Sequence, residues 1–220
     1  MTLTAALTNL SAEFGVLSNH LRNFAASKPS INSANNFTLL DECVLEGLLS
    51  RCWQSWGRFC RTCVINSCVG TTNNAGVQIP ALPQATDEFE VSGAAIRAKS
   101  RPYPPYWGVS NTSLRAEPTW GDVDVLAKIL TRLSPVNAGQ LLAAFSSGAS
   151  SAKVMQLIRN SSAHDNSQNR AELLNIQSAY IVFAINHPTH ALFWVEPNSS
   201  DFLITHAMDT FEGIALAAIS

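Results

Sequence analysis

A chain of 220 residues can fill one sizeable core, with room for an insertion. Of these residues 46% are apolar and only 14% are charged, which excludes a disordered chain. The formal net charge of −2 excludes a surface coated in basic residues, so any nucleic-acid contact has to come from a local patch.

No apolar run approaches the length of a membrane span, and Met1 to Ala6 shows no basic region or cleavage pattern. The expectation is a soluble, cytoplasmic protein with no membrane contact. Leu3, Leu7, Leu10, Phe14, Leu17, Leu21 and Phe24 recur in alternating steps of four and three, the apolar seam of a first long helix. That helix is expected to stop before Pro29, in the turn-rich stretch 27–36. His20 falls beside the seam, at its rim.

A second helix is predicted over about residues 37–66, capped by Asn35 or Asn36, with Asp41 and Glu42 in its first turn. Its apolar face carries Leu45, Leu48, Leu49, Cys52, Trp53, Trp56, Phe59, Cys60 and Cys63. Five cysteines, all on this element, make no disulfide framework and point to a reducing compartment. Cys60-x-x-Cys63 and Cys68 have no second pair or nearby histidine to complete a tetrahedron, so no metal and no cofactor are expected. On the opposite side Arg51 and Arg58, seven apart, nearly superimpose, with Gln54 and Arg61 flanking them. This stripe is either a solvated face or a track for RNA phosphates.

Residues 70–118 read as a loop-rich, Pro-punctuated insertion after the second helix. Thr86, Asp87 and Glu88 are expected to cap a short helix running to Ile96 and Arg97. Tyr103, Tyr106 and Trp107 lie near Arg97, Lys99 and Arg101, and such a mixture either stacks bases or plugs the side of a bundle. An amphipathic helix is predicted from Trp120 to Leu133, stopped at Ser134-Pro135, and a shorter one from Ala138 to Phe145, ended by Gly148. Ser150 or Ser151 would then cap a helix reaching about Asp165. After a break at 165–169, helix is expected again from Arg170 to Asn186, an extended piece over Ala191–Val195 and a last helix over about Asp201–Ala218. His187 and His190 have metal-like spacing, but Pro188 and the lack of a clustered carboxylate argue against ligation.

The helix ending near residue 165 carries the candidate chemistry. Asn160 and His164 are four apart and share a face, and Arg159 is rotated from Asn160 by roughly 100°. A guanidinium clamps phosphate oxygens, and an imidazole titrates near neutral pH. Arg followed by Asn, with His four to six residues after the Arg, is expected by chance only roughly 0.05 times in this composition.

At Arg159, Asn160 and His164 the chain resembles the HEPN superfamily, whose signature is Arg, a polar residue, then His four to six residues after the Arg. The resemblance runs upstream through Glu117-Pro118-Thr119-Trp120-Gly121 and the stretch Leu133-Ser134-Pro135-Val136-Asn137, covering roughly the last half of the chain. It implies an all-α, HEPN-like helical bundle over residues 1–220, often a homodimer. It implies a metal-independent endoribonuclease of toxin–antitoxin or antiphage-defence type, with RNA as substrate and an antitoxin or defence-system protein as partner. In that mechanism His164 takes the 2′-hydroxyl proton and the alkoxide attacks phosphorus, leaving 2′,3′-cyclic phosphate and 5′-hydroxyl ends. Arg159 stabilises the phosphorane, and Asn160 orients the imidazole or the phosphate. Asn166 stands where some members carry a modifiable tyrosine, so control by tyrosine nucleotidylation is not expected.

Two other readings stay open on the residues themselves. One is a non-catalytic module that binds RNA or a partner protein, and the other is a structural helical adaptor using the seam of the first helix. One imidazole per motif supplies a base but no acid. A two-fold dimer with motif helices face to face would supply the second.

Overall fold

The computed structural model describes residues 2–164 and 166–220, apart from the Leu114 side chain. The described residues are mostly helical: α1 (Leu3–Ala26), α2 (Leu39–Val69), α3 (Glu88–Ser100), α4 (Val123–Leu133), α5 (Ala138–Ser147), α6 (Ala149–Ala163), α7 (Ser167–Asn175) and α8 (Leu203–Ile219). A two-residue hairpin, β1 (Thr71–Thr72) against β2 (Gln78–Ile79), pairs Thr71 with Ile79 and Thr72 with Gln78. Among the described residues, no helix is long and apolar enough to cross a membrane. The chain divides into two compact units, one of Met1–Ser11, Trp56–Ala149 and Glu212–Ser220, the other of Ala12–Ser55 and Ser150–Phe211.

In the first unit Trp56 is fully buried, its ring set edge-on to Phe145 at 5.9 Å and its indole N–H donating to the Gly121 carbonyl at 3.3 Å. The pair satisfies the polar end of a side chain whose body is apolar. Cys60, Cys63 and Cys68 are free and buried, and burial pushes the Cys68 thiol up to about 12, so these thiols act as small hydrophobes. Residues 70–118 hold the hairpin and α3, which starts at an Asp87 cap accepting from the Glu90 N–H at 2.8 Å and buries Val91, Ala94, Ala95 and Ala98. The Asp122 carboxylate accepts from the N–H groups of Asp124 (2.9 Å) and Val125 (3.2 Å), so α4 starts at Val123 and not at Trp120.

Trp120 instead donates to Glu117, the polar hub of this unit, at 3.0 Å. Glu117 also accepts from Arg61 Nε and Nη2, both at 2.8 Å, and from the Ser92 hydroxyl at 2.8 Å. Burial alone would raise this carboxyl, but the bonds from Arg61, Ser92 and Trp120 outweigh it and hold it below the usual range.

In the second unit Phe14, Leu17 and Leu21 of α1 are buried, and Phe24 stacks on Phe37 (6.2 Å) and Phe193 (5.8 Å). Phe37 is extended, at φ −103°, which delays the start of α2. The cap is therefore Thr38 and not Asn35 or Asn36, which lie in a short 3₁₀ turn. Thr38 donates its N–H and its hydroxyl to Asp41 Oδ2, each at 2.7 Å, and Asp41 N–H returns a bond to the Thr38 hydroxyl at 3.3 Å.

The expected helix over Arg170–Asn186 is corrected by the structure. Helix α7 ends at Asn175, a 3₁₀ turn covers Ile176–Ala179, and from Tyr180 the chain is extended. Ile181 and Val195 exchange both backbone hydrogen bonds, at 2.8 and 2.9 Å, and Val195 bridges onward to Phe202. The run Tyr180-Ile181-Val182-Phe183 is aromatic and β-branched, and this pairing wins over its helical spacing. The predicted extended piece over Ala191–Val195 is largely a 3₁₀ helix, Pro188–Phe193, with Val195 alone in the bridge.

Gly93 tests the packing of α3. A Cβ there would collide with the carbonyl of Val109, on the segment whose Asn111 N–H bonds to the Phe89 carbonyl at 2.8 Å. Gly93→Ala is expected to destabilise by about 1–3 kcal/mol, despite the higher helix propensity of alanine. Denaturant midpoints measured on both proteins check this, and an unchanged or raised midpoint would contradict it.

Candidate functional site

Helix α6 buries Ala152, Met155 and Ile158 at helical spacing, with Ser161 fully buried one turn on. The Ser161 hydroxyl donates to the Asn169 carbonyl at 3.2 Å. That inward face leaves Arg159 and His164 exposed and Asn160 half-buried. Arg159 Nη1 donates to Asn160 Oδ1 at 3.3 Å. Among the described residues, no hydrogen bond or ion pair engages the His164 ring, and Asp165 lies outside the described residues.

The backbone of His164 is held from both sides. Its N–H donates to the Asn160 carbonyl at 2.9 Å, closing the last turn, and its own carbonyl accepts from Asn169 Nδ2 at 2.9 Å. Asn169 N–H in turn donates to Asn166 Oδ1 at 2.9 Å, the cap of α7. Asn169 is thus a site residue that periodicity did not single out. The signal for it was the Asn-x-x-Asn spacing of a cap followed by a second amide.

Arg159, Ser162 and Ala163 line an open groove of about 380 Å³ together with Glu46, Leu49 and Ser50 of α2. Glu46 Oε1 accepts from the Ser162 hydroxyl at 2.6 Å and lies 3.6 Å from His187 Nε2. His187 Nδ1 accepts from the Thr189 N–H at 3.4 Å and sits 2.8 Å from the Thr189 hydroxyl. One turn earlier on α2, Glu42 Oε1 lies 3.3 Å from Nε2 of the fully buried His190, whose ring stacks on Phe37 at 4.3 Å. Burial pushes the His190 imidazole below its ordinary value, against the opposing pull of Glu42.

Sequence spacing alone brought no carboxylate to His187 or His190, and the structure sets Glu46 and Glu42 against them, one to each. Their four-residue spacing on α2 was visible, but tertiary contact alone names the partner. Among the described residues, no group of three or more His, Cys, Asp or Glu is placed to hold a metal ion.

The basic stripe divides by environment. Arg51 is exposed and pairs with Glu13 at 3.3 Å. Arg58 and Arg101 are exposed in the first unit, Arg101 capping α3 through its backbone N–H to the Arg97 carbonyl at 2.8 Å. Arg61 is committed to Glu117, with Glu88 at 3.5 Å, and those carboxylates offset its charge. Of the aromatics, Tyr103 is 78% exposed, whereas Tyr106 is buried with its hydroxyl donating to the Pro102 carbonyl at 3.0 Å.

No protein-family model matches this chain, and comparisons with curated proteins and with solved structures returned no significant match.

The clamp on His164 makes a local prediction. Asn169→Ala removes the bond to the His164 carbonyl and a longer one, 3.5 Å, to the Asn160 carbonyl, so global stability is expected to fall by only about 1 kcal/mol. Hydrogen exchange in the last turn of α6 is expected to speed up several-fold at the same time. Unchanged exchange there would show that Asn169 does not hold the turn.

Proposed function

We propose that this chain is a metal-independent endoribonuclease of HEPN type, acting as a toxin or antiphage-defence RNase. The observation that supports it is the set of exposed Arg159, half-buried Asn160 and exposed His164 at the end of α6, with Arg159 opening on a groove. His164 takes the proton of a ribose 2′-hydroxyl, and the alkoxide attacks the adjacent phosphorus. The P–O5′ bond breaks, the 5′-oxygen takes a proton from an acid, and a 2′,3′-cyclic phosphate remains. Arg159, which among the described residues makes no ion pair, meets the charge on the phosphorane. Such an electrostatic contribution is commonly worth about 3–4 kcal/mol. Asn160, already bonded to the guanidinium, orients it.

Arg51, Arg58 and Arg101 stay the candidate phosphate contacts because their side chains are exposed, although Glu13 pairs with Arg51 at 3.3 Å. Arg61 is left out because Glu117 and Glu88 hold it. A second copy of the chain, docked motif to motif, would bring a second His164 as the acid. An antitoxin-like or defence-system partner would silence the enzyme by covering the groove. Sedimentation at concentrations where cleavage is measured tests the pairing, since a fully active monomer requires an acid within one chain.

Both His164→Ala and Arg159→Ala are expected to lose at least about 100-fold in cleavage. Their melting is expected to stay near that of the parent, because exposed substitutions cost under about 0.5 kcal/mol. Parent cleavage is expected to persist in excess chelator. Purified proteins and a fluorescent RNA give all three readouts. Full activity in either variant ends the catalytic assignment, and RNA binding without any cleavage makes the chain a binding module.

A further inference from the structure

We infer that the groove beside Arg159 is a guanine-binding pocket, so that RNA is read at a guanosine next to the bond that is cut. This rests on the ribonuclease reading and names its substrate class. Glu46 and Ser50 are one turn apart on α2, so their side chains share a face and both line the groove. The Glu46 carboxylate is oriented through Oε1, which accepts from Ser162 at 2.6 Å and lies 3.6 Å from His187 Nε2. Oε2 has no partner among the described residues, and the side chain is 45% exposed. The Ser50 hydroxyl accepts from Gln54 Nε2 at 3.2 Å and keeps its own proton to donate. Leu49 and Ala163 supply apolar surface for the face of a ring.

The charges carry the inference further. Arg159 and Glu46 line the same groove with no ion pair between them. A groove with a guanidinium outside any ion pair and a carboxylate oxygen, Glu46 Oε2, without a partner among the described residues complements a ligand that is anionic at one end and rich in N–H donors at the other. A nucleotide with a guanine base is such a ligand. Its Watson–Crick edge presents N1–H and N2–H side by side, then the O6 acceptor. A carboxylate takes the two adjacent donors and a hydroxyl gives to O6, which is the order Glu46 then Ser50 offers.

The other bases do not fit this pattern. Adenine and cytosine each set an acceptor beside their single amino group, and uracil places one N–H between two acceptors. Any of them would turn a lone pair toward the carboxylate or leave it desolvated without a partner, the costlier outcome. The volume of about 380 Å³ suits one small-molecule-sized occupant.

Short fluorescent oligonucleotides with 2′-deoxy sugars throughout lack the attacking hydroxyl, so they are expected to bind without being cut, and they differ at a single base position. That position is varied among guanine, hypoxanthine (which lacks the N2 amino group), adenine, cytosine and uracil, and affinity is read by anisotropy. Guanine is expected to bind about tenfold tighter than hypoxanthine and more than tenfold tighter than the other three. Glu46→Gln keeps a neutral acceptor for Ser162, so it is expected to stay folded with a small drop in melting temperature and yet to lose the preference. Ser50→Ala is expected to weaken guanine binding by about threefold.

Equal binding of the five oligonucleotides, binding of none, or a guanine preference that survives Glu46→Gln overturns the pocket. Cleavage of unmodified RNA is followed in parallel, which separates the two claims. RNA cut without regard to guanine overturns the pocket and leaves the ribonuclease standing. Guanine preference with no cleavage overturns the ribonuclease and leaves the pocket.

Discussion

The hydrogen bond from Ser162 to Glu46 is the constraint on which the candidate site depends. It ties the outer face of α6 to α2 at the groove, and it ends on a charged acceptor. Bonds of that kind are worth about 1.5–3 kcal/mol, toward the lower figure here because Glu46 is half exposed. The inward face of α6 is held by Ala152, Met155 and Ile158, and this outer tie sits in the same groove that Arg159 lines. Asn169 then completes the turn by holding the His164 carbonyl. Apolar packing, one charged bond and one amide clamp thus hold the helix end that carries exposed Arg159 and His164 and half-buried Asn160.

Much of the helical architecture was legible in the sequence, and the reasons are particular. The seam from Leu3 to Leu21 and the face from Leu45 to Cys63 repeat over enough turns that burial leaves little choice. Punctuation was legible where a residue had one structural option, as at Ser134-Pro135, where Ser134 adopts a left-handed cap at φ 49°. Starts were harder. Asn35 and Asn36 looked like caps, but Phe37 packs against Phe24 and His190 in an extended conformation, and Thr38 takes the cap. The run from Tyr180 to Asn186 fits helical spacing and strand composition alike. Val195, fourteen residues beyond Ile181, decides between them, and no local pattern contains that information.

The site divides the same way. Arg159, Asn160 and His164 stand together in the sequence and share the end of one helix. The carboxylates that meet His187 and His190 come from α2, so pattern reading missed them. The basic stripe shows the opposite failure. Helical geometry gave Arg51, Arg58 and Arg61 a common side, but Glu117 arrives from a loop to engage Arg61, and Glu13 from α1 to engage Arg51. Charge counted along a helix overstates the charge a ligand meets. Under the proposed function, a chain of net charge −2 would bind RNA through local exposed guanidinia and not through its overall charge.

The central claim is that an imidazole and a guanidinium at the end of α6 cleave RNA through its own 2′-hydroxyl. The chemistry of the new ends tests this most directly, because the attacking oxygen is written into the product. RNA cut by the purified protein is expected to end in 2′,3′-cyclic phosphate on one fragment and 5′-hydroxyl on the other. The first resists polyadenylation until it is removed, and the second accepts phosphate from polynucleotide kinase. Fragments ending in 3′-hydroxyl and 5′-phosphate would show that water, and not the ribose, attacked phosphorus, and would contradict the account.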